Sequence, residues 1–234
     1  MYEYTPTRGG ANPSRFLAGF TGTIQADGYA GYNEVAERPS VTRAGCHAHA
    51  RRYFEKALPY FPEAEEMLLF YRSLFENERV LSERGATPAE TLEARQELSS
   101  PLLANMKVWM EERKKSGRVL PQSALGKAIE YSLSRWDTFE AFLMDASLPL
   151  SNNISERAMR SVVLGRNNYM FFGSEKAAQQ GAVFYSILHS CVCLGINPEE
   201  YLADISPRIG DQMKSRLVEL TPAGWLAARN HPSP

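Results

Sequence analysis

No apolar run in this sequence approaches the ~18 residues of a membrane-spanning helix. The first ten residues, MYEYTPTRGG, lack the apolar region of a signal peptide. Net charge is nearly absent: 26 basic against 27 acidic side chains give −1. A globally basic nucleic-acid binder is thereby excluded, and any nucleic-acid surface must be a local patch. Cysteine is scarce. Three, odd in number and widely scattered, exclude a disulfide framework and fit free thiols in a reducing cytoplasm. Cys191 and Cys193, two apart in a helical pattern, point to different faces and make a poor chelate. Internal repeats and low-complexity tracts are absent as well.

What remains is a chain of 234 residues, enough for one sizeable core or a core with an inserted subdomain. Its first fifth alternates short strand and helix signals. Residues 2–5 alternate like a strand, and 13–20 suit a short helix with Phe16, Leu17 and Phe20 on its apolar side. Residues 21–26 read as a second strand ended by Asp27-Gly28, 29–36 as a helix, and 41–46 as a strand running into the helix that opens at His47. This alternation indicates an α/β layer. From about 58 to 147 the pattern is wholly helical. Met67, Tyr71, Leu74 and Leu81 form one stripe; Leu92, Leu102, Met106 and Trp109 form another, with Pro101 as a break or kink. Leu125, Ile129, Leu133, Trp136, Phe139 and Leu143 keep one helical period across 121–145. Residues 177–194 make a further apolar helix closed by Gly195. Asn197-Pro198-Glu199-Glu200 then joins a capping amide, a first-position proline and first-turn acids. Leu202 and Ile205 are expected to face the core, and the tail from His231 is expected to fray.

Chemistry concentrates in residues 150–174, LSNNISERAMRSVVLGRNNYMFFGS. Asn153 and Glu156 have the spacing of a helix cap and its reciprocal glutamate. Ile154, Ala158 and Val162 share one face, while Glu156 and Arg160 pair at i, i+4 on another. A carboxylate opening a helix among Arg157, Arg160 and Arg166 suits a divalent metal facing phosphate; the simpler reading is a capping box with an ion pair. Asp27 likewise has two readings: a catalytic carboxylate just past a strand's carboxyl end, or an ordinary Asp-Gly turn. Cys46, His47 and His49 hold a fragment of zinc spacing without a fourth ligand nearby, which favours a structural role at a strand-to-helix junction. Arg43, Arg51 and Arg52 make that junction basic, either as a solvated face or as a phosphate contact.

Four blocks carry a resemblance. They are Pro6 to Gly10 (PTRGG), Phe20 to Asn33 (FTGTIQADGYAGYN), Arg43 to Arg52 (RAGCHAHARR), and Leu148 to Arg160 (LPLSNNISERAMR) continuing through Gly165-Arg166 to Gly173-Ser174. In this order they resemble the insertion-sequence 66 family of bacterial transposases over nearly the whole chain, including Asn197-Pro198 to Leu202. The resemblance implies a helix-rich α/β fold: a partial RNase H-like core from 1–57 and 148–195, an all-α insertion at 58–147, and a C-terminal helical segment at 196–234.

It further implies an Asp-Asp-Glu recombinase that cleaves DNA and transfers strands in transposition, with Mg2+ or Mn2+ held by a complete set of acids. Asp27 matches the second aspartate and Glu156 the glutamate. Cys46 and His49 match a Cys-x-x-His string, and Asn152 and Asn153 a paired-amide string. Arg43, Arg51, Arg52, Arg157, Arg160 and Arg166 are the implied contacts to the DNA backbone. Implied partners are transposon ends, target DNA, and a second copy or an intact transposase; the implied setting is the bacterial cytoplasm, at the nucleoid. Ser151, Asn167 and His47 depart from the family's usual aspartate, lysine and tryptophan. The family's first aspartate lies upstream of the Pro-Thr-Arg-Gly-Gly turn, where Glu3 is the one acid present. The chain is therefore expected to be the C-terminal portion of a transposase: active once extended, or a relic that only binds DNA or pairs with an intact enzyme.

Overall fold

The structure, a computed structural model, describes residues 1–169 and 172–230, excepting the side chains of 166–169. The order of elements is α1 (Ala11–Phe16), β1 (Gly22–Gln25), α2 (Asn33–Ala36), β2 (Val41–Ala44), α3 (His47–Ala57), α4 (Ala64–Glu83), α5 (Pro88–Ala94), α6 (Ser100–Lys115), α7 (Ala124–Leu133), α8 (Trp136–Glu140), α9 (Asn153–Tyr169), α10 (Glu175–Cys193), α11 (Pro198–Ile205) and α12 (Pro222–Asn230). The result is a helix-rich protein with a small two-stranded parallel sheet. It divides into two compact units, one of Arg8–Ile154 and one of Met1–Thr7 with Ser155–Pro234. The division falls in the first turn of α9.

In the first unit, β1 and β2 pair in parallel from Gly22↔Val41 to Gln25↔Ala44. Parallel strands need a crossover; here it is a 3-10 turn at Ala30–Tyr32 followed by α2, whose Val35 packs on Ile24 and Val41. Gly45 turns β2 into α3. Its N–H donates to Thr138 O at 2.8 Å, and a Cβ there would lie 2.7 Å from the Phe139 ring. α3 then packs against α4 and α7. Phe54, Met67, Tyr71, Leu74, Leu103, Met106, Met110, Leu125, Ile129 and Phe139 are fully buried in one core. Burying each large apolar side chain contributes about 1.5–3 kcal/mol.

The helical stretch at 58–147 holds no strand among its residues. Two of its expected details need correction. Leu102 is only half-buried, and Leu103 takes its place in the core. Leu103 lies three residues before Met106 on α6 and so shares its face, while a π-helical turn at Arg95–Ser99 precedes the helix. Pro101, lacking an N–H, lies in the first turn of α6. The single helix expected over 121–145 is three pieces, α7, α8 and a 3-10 turn at Ala141–Leu143. Arg135, at φ −136° and ψ 26°, leaves the helical region and breaks it. The period survives the break, so Trp136, Phe139 and Leu143 are buried all the same.

Arg95 turns inward from the π turn and is 2 % exposed. Nε and Nη2 grip Glu78 at 2.8 and 2.6 Å; Nη1 donates to Phe142 O and Asp145 O, and Nη2 also to Leu148 O. All its N–H donors are thereby used, which makes burial of the charge tolerable.

In the second unit, α10 starts where Ser174 Oγ accepts the Ala177 N–H, and Gly195, at φ 68°, ends it. Asn197 caps α11 by accepting the Glu199 N–H at 2.9 Å, with Pro198 next. Cys191, Ile196, Tyr201, Ile205, Leu220 and Trp225 form a small core, with Leu202 at its edge. The strand expected at residues 2–5 does not form. Tyr2 instead gives its N–H to Ser186 Oγ at 2.7 Å and its hydroxyl to Ala158 O at 2.6 Å, so no ladder partner takes its backbone. The expected fraying from His231 concerns residues outside those described. Among the described residues, no helix is long and apolar enough to cross a membrane.

Candidate functional site

Asp27 stands two residues beyond β1, at the carboxyl end of a parallel pair, where α/β folds gather ligands. Its Oδ1 accepts the Tyr29 N–H at 3.0 Å, so the turn reading and the site reading describe one structure. Arg43, reaching across from β2, laces that turn: Nη2 donates to Asp27 O at 2.9 Å and Tyr29 O at 3.1 Å, and Nη1 to Asn33 Oδ1 at 2.8 Å. Its pKa is lowered by burial and then by the neighbouring charge of Arg135, with Asp27 opposing. Arg43, expected to meet DNA, thus directs these donors at its own turn. The sequence reading missed Arg135 and Tyr131, which come from α7 and the break after it to lie beside Gly28. Their i, i+4 spacing inside an apolar helix pattern carries no functional signal.

The segment that leads to Glu156 is tied to the same unit. Gln25 Nε2 donates to Pro149 O, His47 N–H donates to Leu150 O at 2.9 Å, and Leu150 is buried. Asn152 Oδ1 is buried without a hydrogen-bond partner among the described residues. Asn153 is the first residue of α9, one step inside the cap position expected of it, and Glu156 falls in the first turn. Glu156, Arg157 and Arg160 are all exposed. The side chain of Arg166 lies outside the described residues.

Cys46 is buried just before α3, and His49 Nδ1 lies 3.1 Å from its sulfur. Arg52 Nη1 donates to His49 Nε2 at 3.4 Å, which leaves the proton on Nδ1 to face the thiol. Arg51 pairs with Glu55 at 3.0 Å on the exposed face of α3. His47 points the other way, into the core. Its Nε2–H donates to Phe139 O at 3.0 Å, Nδ1 is buried without a hydrogen-bond partner among the described residues, and burial depresses its pKa to about 4.

Among the described residues no group of three or more His, Cys, Asp or Glu side chains is placed to hold a metal ion. Carboxylates are the right donors for a hard cation, yet Asp27 and Glu156 belong to separate units, and neither belongs to such a group among the described residues. The donor set falls short of a complete cage.

A carboxylate just beyond the carboxyl ends of parallel strands stands where α/β folds gather ligands. The chain is a member of the family described as Transposase IS66 family, which matches residues 1–180. It is 37 % identical over 246 residues to the uncharacterized protein y4hP of Sinorhizobium fredii strain NBRC 101917 / NGR234, covering 97 % of this chain and 44 % of that protein. Two others from the same strain, the uncharacterized proteins y4jD and y4qI, are 34 % and 31 % identical, over 97 % and 93 % of this chain and 45 % and 41 % of theirs. The chain therefore spans less than half the length of these relatives. No solved structure matches it.

Proposed function

We propose that this chain is the part of a DNA transposase that carries the second aspartate, Asp27, and the glutamate, Glu156, of an Asp-Asp-Glu site. The site cleaves DNA and transfers strands to insert a mobile element. The β1–β2 pair with α3 and α9 represents an RNase H-like core, and residues 58–147 an insertion into it. The observation that carries the reading is the anchoring of Pro149 and Leu150 to Gln25 and His47. The segment that leads to Glu156 thereby sets out within two residues of Asp27, in keeping with the family pattern that assigns both acids to one set. Arg157, Arg160 and Arg166 meet the DNA backbone from α9; such contacts position the protein without reading sequence. Mg2+ or Mn2+ binds when a third acid completes the set. Residues 1–26 contain Glu3 and no aspartate, so this chain alone offers two of the three.

The test is strand transfer of a labelled, pre-cut transposon end in Mg2+ or Mn2+, beside a salt titration of DNA binding. The chain alone should join no DNA, yet bind it at low salt, with log affinity falling at about −0.9 per phosphate neutralised against log salt. Metal-dependent joining abolished by Glu156→Gln would show the site to be complete in these residues. Affinity indifferent to salt would contradict the arginine contacts.

A further inference from the structure

We propose that Arg135 is a phosphate-binding residue of the Asp27 site, supplied by the helical stretch at 58–147 and aimed by a stack of aromatic rings. The inference rests on the DNA reading above and adds to it a residue outside the matched motifs.

The guanidinium carbon of Arg135 lies 3.9 Å from the centroid of the Tyr131 ring. Tyr131 in turn stacks on Tyr53 of α3, centroids 4.3 Å apart and planes 21° from parallel. Gly28, next to Asp27, closes the arrangement: a Cβ there would lie 3.1 Å from both Cζ and Nη2 of Arg135 and 3.0 Å from the Tyr131 ring. A Cβ here would press those side chains back by a few tenths of an ångström; the backbone itself is not in the left-handed region. Nη1 of Arg135 is fixed by donating to Tyr131 O. Its remaining N–H groups have no partner, and no ion pair joins it to an acid, among the described residues.

Charge makes the same case. Two guanidinium groups, Arg43 and Arg135, are close enough to perturb each other beside one carboxylate, Asp27. Arg43 spends its donors on the turn, so the guanidinium with donors left over is that of Arg135. A planar, delocalised cation lying flat on a ring, with donors to spare along one edge, is suited to grip phosphate oxygens. The stack holds it against rotation before the ligand arrives, which lowers the ordering cost of binding. A phosphodiester seated there lies next to the Asp27 carboxylate.

The experiment uses the full chain without metal and a short fluorescent DNA duplex, followed by anisotropy from low to physiological salt. Arg135→Gln should weaken binding about tenfold and make the salt slope shallower by about 0.9, the signature of one lost phosphate contact. Gly28→Ala keeps every charge but presses the guanidinium back by a few tenths of an ångström; a smaller loss in the same direction is expected. Arg118→Gln, which removes one positive charge outside the stack, should change affinity by no more than about twofold. If Arg135→Gln does not fold by circular dichroism, Arg135→Lys carries the test: charge kept and planar fork lost, it should bind more weakly than the parent. Parent-like binding by folded Arg135 and Gly28 variants overturns this inference and leaves the DNA reading standing. No DNA affinity in the parent chain at low salt overturns both.

Discussion

The two units differ in how completely they cover their own apolar side chains. In Arg8–Ile154, Phe54, Met67, Leu74, Met106 and Leu125 are fully buried, and even a guanidinium, Arg95, is enclosed with its donors satisfied. In the other unit, Val163 and Leu164 of α9 and Val183 and Phe184 of α10 are 48–60 % exposed. Its compact core rests on α11, α12 and the end of α10. The carboxylate of Asp27 thus stands on a rigid, self-sufficient scaffold. Glu156 stands on a helix that exposes Ile154, Met159, Val163 and Leu164 among its described side chains.

Substitutions should sharpen that contrast. Trp109 and Trp136 report on the first unit and Trp225 on the second, so a Trp225→Phe background isolates the first. The largest loss is expected from Phe54→Ala, about 3–5 kcal/mol in urea unfolding, for the cavity left among Tyr71 and Trp109. Arg95→Ala should cost a comparable 3–5 kcal/mol or so, because Glu78 loses its counter-charge and three carbonyls lose their donor, roughly the effect of breaking a buried ion pair. A loss under about 1 kcal/mol at either site would mean that this core is no more complete than the other.

pH provides the next effect. His47 is neutral in the fold, its pKa depressed by burial to about 4 from 6.5. Between those values the unfolded chain binds more protons, so stability is fully present above pH 6.5 and declines as pH falls toward 4. The total is about 3 kcal/mol, at about 1.36 kcal/mol for each pH unit that separates the two values. In His47→Phe that part of the pH dependence should vanish; an unchanged pH profile would place the acid sensitivity elsewhere. The smallest effect belongs to the other unit. Val183→Ser should change stability by no more than about 0.5 kcal/mol. A loss above about 2 kcal/mol, a size that points to a buried site, would show that α10 is covered in solution and erase the contrast.

Local signals were legible in the sequence where a few neighbouring residues decide the outcome. The stripe Met67–Tyr71–Leu74–Leu81, the Asn197-Pro198 helix start and the strand-turn at Asp27 depend on period or cap chemistry alone. Residues 2–5 misled because alternation over four residues says nothing about a ladder partner, and Ser186 and Ala158 take Tyr2's donors instead. Leu103 replaced Leu102 because both spacings to Met106, three and four residues, fit one helix face and the packing partners decide between them. At the candidate site, Asp27 and Glu156 rest on the family pattern alone. The inward role of Arg43 and the presence of Arg135 were not legible, since each follows from a meeting of distant segments: Arg43 with the Asp27 turn, and Arg135 with Gly28.

The central claim is that Asp27 and Glu156 serve one site. The measurement that bears on it most directly is the separation of their carboxyl groups in an experimental structure of the chain. The account predicts less than about 10 Å, within reach of a pair of ions ~4 Å apart. A greater separation, with both side chains ordered, would contradict a shared site.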